Sequence, residues 1–167
     1  YSVRQLSDLS GHSLFKLKQI KNHWLEKSPS ESFEYARYSH LLFDGTYFHK
    51  QGCLMILMDA LTQRIIFNAW GDKESYVHLY PLLGRLKAQG LNPRFATMDG
   101  HLKVMQAFKE TWPELVIQRC LYHIQRQGLS WVRAYPKTEA GQRLRFLLLK
   151  LIPIQSRKEQ SRFFDAY

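Results

Sequence analysis

The apolar positions near the start of the chain follow a helical period with one interruption. Val3, Leu6 and Leu9 mark one face, Ser10-Gly11-His12 breaks it, and Leu14, Leu17, Ile20 and Trp24 resume it after Ser13, a residue type that caps helix starts. Two short helices around a glycine turn have the rhythm of a helix-turn-helix, and a plain helical hairpin has it too. The second helix carries Lys16, Lys18, Gln19 and Lys21 on its polar side, residue types that reach phosphates and base edges. Ser28 to Glu34, SPSESFE, is polar with a proline and predicts a linker at a domain boundary.

Beyond the linker the period changes. Tyr38 to Lys50, YSHLLFDGTYFHK, is dominated by β-branched and aromatic residues and predicts a strand with Asp44 inside it. Gly52–Leu61 and Arg64–Trp70 predict two more strands on short connections, an antiparallel meander. Glu74–Gln89 then turns helical, with Leu79, Leu82, Leu83 and Leu86 on one side and Gly90 at its end. Pro93–Met98 predicts a fourth strand running into Asp99-Gly100. A second helix follows through Leu102, Met105, Ala107 and Phe108, and Leu115–Ile117 predicts a fifth strand that leads to Arg119 and Cys120. From Thr138 onward the chain is helical apart from a break at Pro153. This order predicts an α/β domain, a mixed five-stranded sheet with flanking helices.

Asp44 carries the first chemical expectation. A carboxylate in mid-sheet is costly unless it has donors, a cationic partner or a metal ion. The competing possibility is that Asp44-Gly45 is a hairpin turn. In a mixed sheet the first strand can lie beside the fourth, which would bring Asp44 to Asp99. Two carboxylates on adjacent strands repel one another, and a pair of divalent cations resolves this. Two such ions suit phosphodiester chemistry. Asp59, at a strand end, is expected to be a turn or capping residue. Of the histidines outside the 120–123 stretch, only His101, two residues after Asp99, is placed to matter.

Charge agrees with a phosphodiester substrate. The 167 residues carry a formal net charge of +10, which points first to nucleic acid and second to an anionic membrane surface. No apolar run is long enough to cross a bilayer and no signal peptide opens the chain, so an intracellular protein is expected. Cys53 and Cys120 do not suggest a disulfide framework. Starting at Tyr1 and stopping at Tyr167 within a helical stretch, the sequence is expected to be a piece of a longer protein.

The motifs FDGTYF around Asp44, TMDG around Asp99 and RCLYHIQR around Cys120 and His123, in this order, resemble the Mutator-like transposases and their bacterial insertion-sequence relatives. That resemblance implies a ribonuclease H-like catalytic core with an Asp-Asp-Glu triad working on two Mg²⁺ or Mn²⁺ ions. Asp44 and Asp99 would be the first two metal-binding acids. Cys120 and His123 would be the family's paired motif near the active site, positioning the core or the DNA. Without the resemblance they are a buried cysteine and a chance histidine, since no second ligand pair stands nearby. Arg119 and Arg126, in the same motif, would join the DNA contacts.

The implied activity is DNA strand cleavage and strand transfer at transposon ends. The implied partners are terminal repeats, target DNA and further copies of the protein, with no membrane involved and with a cytoplasmic, nucleoid-associated location. The expected divisions are a helix-turn-helix and linker over 1–34, the catalytic core over 35–136 and the start of a helical insertion over 137–167. The third acid of the family follows such an insertion. Glu110, Glu114 and Glu139 lie too near Asp99 for that role, and Glu159 sits in a basic helical run, so the third acid is expected beyond Tyr167. The fragment alone would then be inactive. A non-catalytic DNA-binding remnant, or another ribonuclease H-like nuclease, is the alternative.

Overall fold

The computed structural model describes residues 2–26, 32–154 and 156–166, and the chain divides into two compact units, Tyr1–Phe33 and Glu34–Tyr167. Most of the expected linker, Ser28 to Glu34, lies outside the described residues.

The first unit is a helix pair, α1 (Val3–Ser10) and α2 (Leu14–Leu25). Ser2 and Gln5 form a reciprocal capping box at the start of α1, and the Ser13 hydroxyl accepts the Lys16 backbone N–H at the start of α2. Between them Gly11 adopts φ 70°, left-handed backbone that favours glycine, and its N–H donates to Ser7 O at 2.9 Å. The Ser7 hydroxyl closes the turn by donating to the His12 carbonyl at 2.6 Å. No residue of either helix is buried, and Leu9, Phe15 and Trp24 are exposed. Lys16, Lys18, Gln19 and Lys21 are all exposed as well. Their spacing sets Lys16 with Gln19 and Lys18 with Lys21 on different faces, so they do not form one polar side.

The second unit is built on β1 (His40–Phe48), β2 (Gly52–Asp59), β3 (Ile65–Gly71), β4 (Phe95–Met98) and β5 (Val116–Arg119). They form one sheet in the order β3-β2-β1-β4-β5. β2 runs antiparallel to both neighbours, while β1, β4 and β5 are mutually parallel. This mixed five-stranded sheet with flanking helices is the ribonuclease H-like arrangement. Burial along β2 alternates strictly, with Cys53, Met55, Leu57 and Asp59 on the covered face. Asp59 is 2% exposed, and its carboxylate accepts the Thr62 N–H at 2.8 Å and the Thr62 hydroxyl at 2.6 Å, a turn residue as expected.

Helices α3 (Tyr76–Ala88) and α4 (Leu102–Thr111) pack together. Leu79, Leu83 and Leu86 of α3 and Val104, Ala107 and Phe108 of α4 are buried with Leu41, Phe43, Ile66, Ala96 and Met98 of the sheet. Phe108 meets Phe43 edge-on at 5.3 Å, and the Trp112 indole N–H donates to Leu91 O at 3.0 Å.

Helix α5 (Leu121–Val132) has no counterpart in the sequence expectations. Its start has no capping side chain and Gly128 stands in its middle, so both local signals argue against a helix. Packing overrides them. A side chain at Gly128 would overlap Leu148 of α6 (Glu139–Leu151), so the glycine lets the two helices approach. Gln125 Nε2 then donates to Leu148 O at 2.7 Å. A final helix, α7 (Arg157–Asp165), follows the expected break at Pro153, and its first turn is closed by a capping box of Ser156 and Glu159.

Candidate active site

The hairpin alternative for Asp44 is excluded. Asp44-Gly45 lies inside β1 and pairs with Ile56 and Met55 of β2, while the chain reverses after Phe48 with Lys50 at φ 57°. The expectation of a mid-sheet, buried Asp44 is corrected too: its side chain is 65% exposed. The reason lies in strand length. β4 pairs with β1 only from His40 to Leu42, so beyond Leu42 the β4 side of β1 is uncovered.

The same register explains why the two aspartates face the same way. Leu42 stands opposite Thr97, the last pair between the two parallel strands, and Asp44 and Asp99 each come two residues later. Leu41, Phe43, Ala96 and Met98 point into the core, so both aspartates alternate onto the other face. Asp99 Oδ1 accepts the backbone N–H of His101 at 3.1 Å, which fixes the carboxylate at the entrance to α4.

The backbone N–H of Cys120 donates to Met98 O at 2.7 Å, tying the start of α5 to the end of β4 beside Asp99. One turn later His123 Nε2 lies 4.0 Å from Asp44 Oδ1, a charge contact when the ring is protonated and longer than a hydrogen bond. Among the described residues His123 Nδ1, which is buried, has no hydrogen-bond partner. His123, Arg126, Gln127 and Ser130 share one face of α5 by helical spacing. With Asp99, Gly100, His101 and Arg119 they line a groove of about 650 Å³. Of the sequence-predicted residues, Asp99, Arg119, His123 and Arg126 therefore line one groove, and Asp44 reaches it through His123. Lys16, Lys18, Gln19 and Lys21 belong to the other compact unit.

Both Asp-Gly pairs use their glycine for room. A β-carbon at Gly100 would overlap the Arg119 guanidinium, and one at Gly45 would overlap the Glu74 carboxylate. Glu74 escaped the sequence reading, which placed it on the first turn of a helix. It instead precedes Ser75, the N-cap of α3, and is only 7% exposed. Its carboxyl is pushed above the usual carboxylate range, chiefly by burial and then by the negative charge of Asp99, with a lesser push from Asp44; His101 and the Cys53 thiol oppose the shift. Burial, followed by the charge of Glu74, likewise raises the Cys53 thiol. The sequence signal was present in the two glycines, since a glycine after each aspartate marks a close approach as readily as a turn.

Three of the four acids set aside for the third position have other partners. Glu110 accepts hydrogen bonds from Tyr76 and Gln106, Glu139 pairs with Arg143 at 2.6 Å, and Glu159 caps α7.

Among the described residues no three His, Cys, Asp or Glu side chains are gathered closely enough to hold a metal ion by themselves. Mg²⁺ is commonly held by one or two carboxylates together with substrate phosphates, not by a closed protein cage. Asp44 and Asp99 fit that pattern as hard oxygen donors, Asp44 inside β1 beyond its pairing with β4 and Asp99 just after the end of β4.

Over residues 16–163 the sequence matches the family model described as "Transposase, Mutator family", and the chain belongs to that family. No curated protein matches it. Among solved structures, it is similar to the HTLV-2 integrase catalytic core domain in complex with magnesium. The dimeric form gives 15% identity and a TM-score of 0.39, covering 65% of this chain and 82% of that one. The trimeric form gives 14% identity and a TM-score of 0.38, covering 68% and 86%. A chain of the simian T-cell lymphotropic virus intasome gives 11% identity and a TM-score of 0.38, covering 93% and 71%. No described helix is long and apolar enough to cross a membrane.

Proposed function

We propose that this chain carries the first two acids of a DNA transposase that cuts and joins strands at transposon ends. The observation that supports the reading is the parallel pairing of β1 with β4, whose last pair is Leu42 with Thr97, so that Asp44 and Asp99 each come two residues later. These two residues would hold Mg²⁺ or Mn²⁺. Bound there, such ions supply activation of the attacking oxygen and stabilisation of the leaving oxygen in an in-line displacement.

The chain's own residues supply position. Arg119 and Arg126 border the groove beside Asp99 and suit a phosphate backbone, and Gln127 and Ser130 extend its polar wall along α5. His123 stands beside Asp44, its Nε2 4.0 Å from the carboxylate. The α1–α2 unit, with Lys16, Lys18, Gln19 and Lys21, binds DNA separately, and the acting form is a multimer on paired ends.

The test is cleavage of labelled element-end DNA by the element's transposase containing this chain. Nicking that requires Mg²⁺ or Mn²⁺ and stops with EDTA is expected. Binding that is equal in EDTA, with no nicking under any metal, would reduce the function to DNA binding.

Replacing Arg119 and Arg126 together by Ala should weaken DNA binding almost uniformly across sequences and flatten its salt dependence by about two units of slope, one per lost phosphate contact. Filter binding across a salt series reads this directly. An unchanged slope would remove both arginines from the DNA path.

A further inference from the structure

Three polar or charged residues are buried among the described residues: Asp59, Glu74 and Thr111. Two are fully accounted for. Thr62 supplies both donors to Asp59, and the Thr111 hydroxyl donates to Ala107 O at 2.8 Å. Glu74 is different. Among the described residues its carboxylate receives only the Cys53 thiol, at 3.8 Å, and a thiol is a weak donor. No described cationic side chain pairs with it.

The fold nevertheless holds this residue firmly. Its backbone N–H donates to Tyr47 Oη at 3.2 Å, and the next residue caps α3. Tyr47 stands directly opposite Cys53 across β1 and β2, so both lie on the covered face of the sheet with Gly45. Gly45 has no side chain on that face, and the Glu74 carboxylate fills the space against the strand that carries Asp44. The negative charges of Asp99 and Asp44 act on it, and His101 and the Cys53 thiol oppose them. Burying a carboxylate beside two like charges is costly unless a cation relieves it. A glutamine would fill the same space without that cost.

We propose that Glu74 is a third, rear acid of the metal site. Held behind β1 by the space at Gly45, it strengthens the attraction of Asp44 and Asp99 for a divalent cation without itself coordinating one. It is a positioning residue acting through the strand, and this inference rests on reading Asp44 and Asp99 as the metal-holding pair. Its charge is useful only when the cation is present, so the apo protein carries an unrelieved repulsion that binding removes.

The test is a Mn²⁺ titration of the full chain by calorimetry, with thermal melts in EDTA and in Mn²⁺. In Glu74→Gln the Mn²⁺ affinity should fall about tenfold, the usual scale for residues supporting a metal site from behind its ligands. The EDTA melt should rise as the repulsion goes, while the upward shift given by Mn²⁺ shrinks. A purely structural glutamate would lower both melts together and leave the affinity alone. Wild-type affinity in Glu74→Gln, with affinity lost in Asp99→Asn, overturns the role of Glu74 and spares the aspartate pair. Wild-type affinity in Asp99→Asn, or no Mn²⁺ binding by the unaltered chain, overturns both. Should Glu74→Gln not fold, Gly45→Ala decides in its place. The new methyl would overlap the Glu74 side chain from its carboxylate to Cγ and so displaces it from behind β1, and an unchanged affinity there refutes the proposal.

Discussion

Asp99→Asn should give a protein that folds as before and cleaves element ends at least about a thousandfold more slowly. Folding is preserved because the asparagine side chain still offers an oxygen to the His101 N–H, the bond that fixes residue 99 at the entrance to α4. Cleavage fails because the substitution removes half the charge that would hold the cation. Metal-ion catalysis contributes several kcal/mol of transition-state stabilisation, and about 4 kcal/mol corresponds to a thousandfold in rate. Asp44→Asn should do the same, because the two carboxylates serve one site. The double variant should be little worse than either single one, since residues acting as a unit are strongly non-additive. Single-turnover cleavage of labelled ends, with circular dichroism melts as the folding control, measures all three. A folded Asp99→Asn protein cutting within tenfold of the wild-type rate would remove Asp99 from the chemistry.

The largest expected loss of stability lies one layer below the site. Phe108 is fully buried, meeting Phe43 edge-on at 5.3 Å and Trp112 at 6.0 Å. Phe108→Ala should cost about 3–5 kcal/mol, the range for deleting a buried aromatic ring. That is a large share of the roughly 5–15 kcal/mol that holds a domain of this kind together. Urea unfolding of the variant measures it, and the midpoint should fall with the slope nearly unchanged. A loss below about 1 kcal/mol would mean that the α4 layer collapses to fill the space. Phe43 immediately precedes Asp44, so the same cavity loosens the strand that presents the first acid.

What could be read in the sequence follows what periodicity can report. Strands β1, β2 and β4 and the helices α3 and α4 appear because each buries residues on one face, and the repeat of Leu79, Leu83 and Leu86 records that burial. Residue type and order were enough to single out Asp44 and Asp99, and strand register adds that each comes two residues after the last β1–β4 pair. Helix α5 was hidden because Gly128 and an uncapped start are poor helix signals, and only contact with Leu148 makes them acceptable. The exposure of Asp44 was misjudged because a strand's own composition says nothing of how far its neighbour extends. Glu74 was missed for a related reason. A glutamate between a strand and a helix looks solvated, and its burial depends on space left by Gly45, distant in sequence.

The unequal strand lengths have a consequence for how a substrate arrives. β4 ends at Met98 and β5 at Arg119, whereas β1 continues to Phe48, so Asp44 stands on a ledge and not at the bottom of a cup. A cup admits molecules small enough to enter and excludes polymers except by their ends. A ledge lets a polymer of any length lie across it sideways, with both flanks continuing past the protein. The scissile position is then chosen by what grips those flanks, and it can fall far from any terminus of the strand.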